Sequence, residues 1–211
     1  MKVVSYSYHE EKSLEDQVAY CARVSNPTSQ ANQLNNQKLI TYLMEHGHWS
    51  PFEMVNICLE IETSRDIGRQ ILRHRSFSFQ EFSQRYSTPS LDFQTREARL
   101  QDTKNRQNSI VSQDETLKRK WDEKQAEVAN AVHHAYSWAI QQGIAKEQAR
   151  AVLPEGMTKT RMYMNGTLRS WIHYIQARSG EDTQKEHREV AIACAHAIRP
   201  LFPMILSFVK V

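Results

Sequence analysis

The chain has little glycine, six in 211 residues, and none of it is grouped as G-x-G-x-x-G or as G-x-x-x-x-G-K-[ST]. This excludes a phosphate cradle built from glycine-rich backbone, so any nucleotide bound here is held by side chains. Cysteine is also sparse. Cys21, Cys58 and Cys194 lie far apart, form no C-x-x-C pair and are too few for a disulfide framework. No apolar run reaches signal-peptide length at the N-terminus or membrane-span length elsewhere. A cytoplasmic protein with no membrane partner is expected. There is no large excess of either charge. Lys and Arg number 27 and Asp and Glu 24, leaving +3. That argues for a local basic site over a general nucleic-acid surface, and no nucleic-acid partner is expected.

What is present is an ordinary globular composition, 40% hydrophobic and 24% charged, in a length that makes one substantial core. The expected fold is α/β of the α+β kind, a mixed sheet with flanking helices in one domain over residues 1–211. Residues 3–8 read as a short strand. Ser13 and Asp16 have the form of a capping box, opening a helix with Val18, Cys21, Ala22 and Val24 inward. A second helix is expected over residues 32–45, with Leu34, Ile40, Leu43 and Met44 inward and Gly47 as its stop. Val55, Ile57, Leu59 and Ile61 alternate with Asn56, Cys58, Glu60 and Glu62, the period of a half-buried strand. Ser64 is placed to cap a short helix to about His74, and residues 76–82 read as extended.

Residues 94–113 are weakly patterned, a strand or an ordered loop. Residues 114–142 give the longest helix, with Leu117, Trp121, Val128, Val132, Ala135 and Trp138 as its inward side and Gly143 as its end. A short helix over residues 146–153 stops at Pro154, and a strand covers 160–164. A helix over 167–178 turns Leu168, Trp171, Ile172 and Ile175 inward. Thr183 and Glu186 form a second capping box, for a last helix through Ile198 whose end Pro200 and Pro203 disrupt.

The densest chemistry lies between Arg73 and Tyr86, with three arginines, a histidine, a glutamate, hydroxyls and aromatics in fourteen residues. Guanidinium forks grip phosphate bidentately, aromatics suit flat rings, and a lone glutamate orients arginines or takes a ribose hydroxyl. Arg65, Arg69 and Arg73 recur at i, i+4 and i+8, a spacing of like charges that needs compensation. For Arg65 and Arg69 a solvated face balanced by Asp66, Glu60 and Glu62 is expected. For Arg73 and Arg75, at a helix-to-strand junction flanked by Phe77 and Phe79, an anion grip is expected. His74 reads equally as a satisfied junction histidine or as a ligand. The cysteines make poor nucleophiles. Cys21 and Cys194 sit in apolar helical surroundings, and Cys58 shares a strand face with Glu60, whose charge opposes a thiolate. His46/His48 and His133/His134 invite a metal, but no H-E-x-x-H or C-x-x-C accompanies them and no metal is expected. Two classes remain: an enzyme acting on a nucleotide, and a non-catalytic nucleotide- or RNA-binding module. The second predicts salt-sensitive oligonucleotide binding.

Arg73-His74-Arg75, seven residues, then Ser83-Gln84-Arg85 is the pattern R-H-R-x7-S-x-R, which resembles the signature of flavin-dependent thymidylate synthases. Three further blocks resemble that family in its own order. They are His46-Gly47-His48-Trp49-Ser50-Pro51-Phe52-Glu53, Arg150-Ala151-Val152-Leu153-Pro154, and Arg169-Ser170-Trp171 through Arg178. The resemblance implies reductive methylation of deoxyuridylate (dUMP) at C5 to dTMP. Carbon would come from 5,10-methylenetetrahydrofolate and hydride from reduced FAD, regenerated by NADPH.

The same resemblance implies that Ser50, Arg73, His74, Arg75, Glu81, Thr167, Arg169 and His173 contact FAD. It places Gln70, Arg73, Glu81, Ser83, Gln84, Arg85, Arg150 and Arg178 at dUMP, and His48 and Tyr86 on the folate side of the flavin. Arg178 matches the arginine set against the uracil ring and is the implied catalytic residue. Thr167 stands where the family often carries asparagine, and a hydroxyl cannot reproduce an amide pair. With no suitable thiolate, a guanidinium stabilising developing enolate charge is the expected way to activate C5. A homotetramer with composite active sites is also implied. Sharing sites between subunits would supply the many contacts that FAD and a nucleotide need in a chain so poor in glycine-rich turns.

Overall fold

Alternation of apolar and polar residues decides the centre of this fold. In the computed structural model, which describes residues 1–30 and 34–210, chain order is β1 (Lys2–Tyr6), α1 (Leu14–Ala22), α2 (Pro27–Gln30), α3 (Asn36–Glu45), β2 (Asn56–Ser64), α4 (Arg65–Ile71), β3 (Ser78–Glu81), β4 (Arg99–Gln101), β5 (Ser109–Val111), α5 (Glu115–Gln141), α6 (Lys146–Ala149), β6 (Lys159–Thr167), α7 (Leu168–Arg178) and α8 (Lys185–Ile198). Turns of 3-10 helix stand at Ser50–Met54, Arg150–Val152 and Pro203–Phe208. Ile57, Leu59 and Ile61 of β2 and Met162 and Met164 of β6 are fully buried, while Asn56, Glu62, Arg161 and Tyr163 between them are exposed. One face of the sheet is therefore packed and the other open. Antiparallel pairing permits this arrangement.

The four-stranded sheet has the order β1-β2-β6-β3, and β4 and β5 form a separate hairpin. Every described pairing is antiparallel. The expected sheet with flanking helices is present, but it is not a mixed sheet. The strands β1, β2, β6 and β3 each run opposite to their neighbour, and antiparallel sheets are the kind that leave one face open. The core lies between the sheet's packed face and α1, α3, α7 and α8, with Trp171, Tyr174, Phe52 and Phe202 as its largest side chains. Trp171 keeps its indole N–H satisfied by donating to the Ile57 carbonyl at 3.0 Å, which lets so large a ring be buried without loss.

Local signals fix several boundaries. The Ser13–Asp16 capping box is fully formed at α1. Gly47 takes φ +68° just past α3, the left-handed stop that glycine adopts without strain. Leu168, Trp171, Ile172 and Ile175 of α7 are all buried. The strand expected at 160–164 runs longer, over Lys159–Thr167, and the first strand ends at Tyr6. The expected helix start at Asn32 lies outside the described residues.

Other expectations are corrected. Val24 and Leu34 face outward, because α1 ends at Ala22 and α3 begins only at Asn36. The short helix after Ser64 ends at Ile71, three residues before His74. Ser64 occupies the cap position but donates its hydroxyl to the Asp66 carboxylate at 2.5 Å. The second capping box does not form. α8 begins at Lys185, and Glu186 turns to Arg99, Arg96 and Gln184. In α5 the inward residues are Gln125, Tyr136 and Ala139. Leu117, Trp121, Val128 and Trp138, expected inward, are 39%, 42%, 46% and 59% exposed. Ala135 is exposed as well, Val132 is half-buried, and Trp121 donates its indole N–H to the Arg96 carbonyl at 2.8 Å, so the helix packs through a face rotated from the expected one and leaves much of the apolar stripe open among the described residues.

Candidate active site

The signature segment is held in place by Phe77. Its ring is buried edge-on to Trp171 at 4.8 Å, and it sits over Gly166 of β6. A Cβ on Gly166 would lie 2.4 Å from the ring, so glycine is what lets Phe77 dock. β3 then pairs antiparallel with β6, Ser78 opposite Asn165. The six residues between α4 and β3 form a tight turn, with the Phe77 N–H donating to the His74 carbonyl. Arg73 and Arg75 point outward from it, and His74 turns in.

His74 is the hinge of the first cluster. Burial, then the charges of Arg178 and Arg73, lowers its pKa from 6.5 to about 4. At neutral pH its Nε2 is therefore a lone-pair acceptor, and Arg178 Nε–H donates to it at 3.1 Å. Arg178 is the last residue of α7. With Nε committed, its two terminal nitrogens remain as a planar pair of donors, suited to an imide or carboxylate edge. His187 packs 6.2 Å from His74, ring centroid to ring centroid, and hydrogen-bonds to Gln70 at 3.1 Å. Among the described residues, no carboxylate pairs with Arg73, Arg75, Arg150 or Arg178.

A second cluster surrounds a cavity of about 430 Å³ lined by Arg65, Arg69, Gln84, Glu147, Arg150 and Glu155, among others. Arg65 is only 5% exposed, which overturns its expected solvated face. Burial lowers its pKa, and Glu81 works the other way. Glu81 lies 3.5 Å away and is itself held by a 2.8 Å bond from the Thr160 hydroxyl. Arg69, nearly half exposed, reaches Glu155 and Glu81. Arg65 Nη1 and Gln84 Nε2 are buried donors with no hydrogen-bond partner. Gln84 Nε2, with no acceptor, and Arg65 Nη1, which has only the Glu81 carboxylate at 3.5 Å, lie beside the exposed Arg150, an arrangement that suits an anion because buried donors without an acceptor are costly. Sequence reasoning missed Arg65. The only signal available was its i, i+4 relation to Arg69, which is also the pattern of a solvated face.

A third group lies at the start of α7. Arg169 pairs with Glu53, and His173 meets Trp49 edge-on at 4.9 Å. Burial and the Arg169 charge both lower the His173 pKa. Ser50, exposed, opens the 3-10 turn that carries Glu53. Thr167 caps α7, accepting from the Ser170 N–H and donating to the Ser170 hydroxyl. His48 stacks with Tyr42 and His46 on the surface, ring centroids 6.2 and 6.4 Å away. Arg85 and Tyr86 are exposed beyond β3 and bond to one another at 3.1 Å, and Arg85 N–H donates to Ser83 Oγ at 3.4 Å.

The structure therefore brings together Gln70, His74 and Arg178, and separately Gln84 with Arg150. It leaves Ser50, Arg169 and His173 as a third set. The cysteines stay apart from all three. Cys194 is buried in α8 and its thiol is pushed up to about 12 by burial. Burial raises the Cys58 pKa against a hydrogen bond with Ser5, which corrects the expectation that the Glu60 charge does so.

Comparison with known proteins bears on this geometry. The family model described as thymidylate synthase complementing protein matches residues 2–204. The flavin-dependent thymidylate synthase of a Synechocystis strain is 51% identical over 92% of this chain and 89% of its own. A protein of Paramecium bursaria Chlorella virus 1, named "Probable flavin-dependent thymidylate synthase", is 46% identical over 90% and 88%. In three dimensions the chain is similar to a UMP/dUMP methylase, PolB, of Streptomyces cacaoi. The TM-score is 0.84 at 24% identity, covering 98% of this chain and 92% of that one, a likeness of fold. With a family model matched over nearly its whole length and relatives this similar, the chain belongs to the thymidylate synthase complementing protein family.

Proposed function

We propose that this chain is a flavin-dependent thymidylate synthase, one domain over residues 1–211, that methylates dUMP at C5 to give dTMP. The observation that carries the reading is the Arg178–His74 pair beside Gln70, in a chain of this family. It offers a planar cationic donor pair, aimed by a neutral histidine, with no carboxylate paired to it among the described residues. When bound, reduced FAD supplies hydride and 5,10-methylenetetrahydrofolate supplies carbon, with NADPH restoring the flavin. The residues present fit such cofactors. Exposed, unpaired Arg73 and Arg75 suit a pyrophosphate where no glycine-rich cradle exists. Ser50, Glu81, Thr167, Arg169 and His173 are proposed as further flavin contacts, and His48 and Tyr86 as the folate side.

The work of the chain's own groups follows from this placement. Arg65, Gln84 and Arg150, joined by Ser83 and Arg85, hold the phosphate of dUMP. Gln70 and Arg73 hold the nucleoside. Arg178 donates to the uracil carbonyl edge, where charge develops as C5 becomes nucleophilic, and stabilises it electrostatically. Cysteine takes no part. A reducing, cytoplasmic setting goes with this reading, since all three cysteines are free thiols.

A homotetramer with composite sites belongs to the same proposal. Two features support it. The residues matched to the two ligands lie in three separate clusters on one protomer. Along α5, about 40 Å long at 1.5 Å per residue, Leu117, Trp121, Val128 and Trp138 make an exposed apolar side that soluble proteins cover. A second copy covers it and carries one set of site residues to another. The absorbance spectrum of the purified protein tests the flavin. Tritium release from C5-labelled dUMP, dependent on methylenetetrahydrofolate and NADPH, tests the reaction. A colourless protein that binds oligonucleotide salt-sensitively would refute both.

A further inference from the structure

A one-way line of hydrogen bonds runs behind Gln70 and uses a histidine to which the proposed chemistry gives no role. It starts at Glu186. Burial works to raise this carboxyl, but bonds from its own N–H and from Gln184, with the charges of Arg96 and Arg99, outweigh burial and hold it below the ordinary glutamate value. An ionised carboxylate only accepts. Gln184 Nε2 therefore donates to Glu186 Oε2 at 3.0 Å, which leaves Gln184 Oε1 to accept from Gln70 Nε2 at 2.8 Å. The other end of the Gln70 amide, Oε1, faces His187 Nδ1 at 3.1 Å. A carbonyl cannot donate, so Nδ1 carries the proton. His187 Nε2 then accepts from the Tyr174 hydroxyl at 3.2 Å. His187 and Tyr174 are each 1% exposed, so water does not substitute for any missing bond in that stretch. Each member has one direction available, and the direction is set by Glu186.

We propose that the Glu186–Gln184–Gln70–His187–Tyr174 line fixes the polarity of the Gln70 amide, and that this makes His187 a positioning residue for uracil specificity. The proposal rests on the reading of Gln70 as a dUMP contact. Uracil presents an N3–H donor between two carbonyl acceptors, whereas cytosine presents an N3 acceptor beside an amino donor. An amide free to turn over serves either base. One held at both ends serves only the base whose pattern it matches, and the other base meets donor against donor. Sites built on such paired groups discriminate far more sharply than apolar pockets do.

The test uses flavin-loaded enzyme and two independent variants, with dissociation constants for dUMP and dCMP measured beside kcat and KM for dUMP. His187→Leu removes the donor to Gln70 Oε1. Glu186→Gln keeps the shape but lets the line run either way. Each should lower the preference for dUMP over dCMP by at least about tenfold, raise KM for dUMP and leave kcat within a few-fold. His187→Asn, whose amide N–H stands where Nδ1–H was, should recover most of the preference. A role in folding alone would weaken both nucleotides equally, and that outcome overturns the proposal. So does an unchanged preference in whichever variant retains flavin, provided Gln70→Leu weakens dUMP. If Gln70→Leu binds dUMP as the unmodified protein does, the reading of Gln70 itself is what fails.

Discussion

Removing Arg178 should damage the chemical step more than binding. The guanidinium spends Nε on His74, 3.1 Å away, and in the proposed reaction its terminal nitrogens serve the substrate. Arg178→Ala deletes a donor pair whose partner charge exists mainly in the transition state. A loss of about 3–4 kcal/mol is therefore expected, about 10²–10³ in kcat, with KM for dUMP changed only a few-fold. Arg178→Lys should regain only part of this, because a single ammonium cannot meet His74 and span two coplanar acceptors. The control is Arg150→Ala. Arg150 is exposed at the cavity proposed for the phosphate, and an anion contact is made in ground state and transition state alike, so KM should rise and kcat should hold. The assay is tritium release from C5-labelled dUMP, normalised to bound flavin. A second readout is independent of activity. Arg178 is one of the charges that depress the His74 pKa, so Arg178→Ala should move the His74 titration upward from about 4. Flavin-loaded Arg178→Ala with unmodified kcat and a raised KM would show that Arg178 only binds.

Three further outcomes are expected. Gly166→Ala sets a Cβ 2.4 Å from the Phe77 ring, an overpacking worth about 1–3 kcal/mol and roughly 2–12 °C in melting temperature. Phe77→Leu in the same chain should recover part of the loss, and an unchanged melting temperature would show that the ring moves freely. His74 and His187 are both held near pKa 4, below the ordinary 6.5. Between these values the unfolded chain takes up protons that the fold refuses, so stability present above pH 6.5 is lost as pH falls toward 4. The loss is up to about 3 kcal/mol for the buried His187 and less for the half-buried His74, whose charge water screens, and a urea midpoint that stays flat from pH 7 to 4.5 would contradict it. Val128→Glu with Trp138→Glu, both exposed in the protomer, should leave the protomer folded but shift light scattering from tetramer to smaller species and deplete flavin. A variant tetramer with full flavin would place the interface elsewhere.

What was legible in the sequence was whatever the chain settles locally. The β2 alternation, the Ser13–Asp16 box, the Gly47 stop and the apolar side of α7 each depend on neighbours within a few residues, and each formed. The reaction and the grouping of site residues came from resemblance, since no spacing in the sequence states that Arg178 meets His74 104 residues away. What misled was a local pattern with a distant claimant. Arg65 looked solvated because nothing near it in sequence shows that β3 and β6 bring Glu81 and Thr160 beneath α4. The α5 stripe looked inward because periodicity names a face but not what covers it. Glu186 is the sharpest case. It stands three residues after Thr183, where a capping box would use it, yet Arg96 and Arg99 draw its carboxylate away and the Thr183 hydroxyl is left without a partner. An unformed box costs about 1 kcal/mol. That loss is intelligible if the carboxylate is needed elsewhere, as the one group in the line behind Gln70 that can only accept. A failed local rule behind a proposed substrate contact is therefore an argument about function: on the proposed reading, the fold gives up a helix cap to keep a fixed polarity at Gln70.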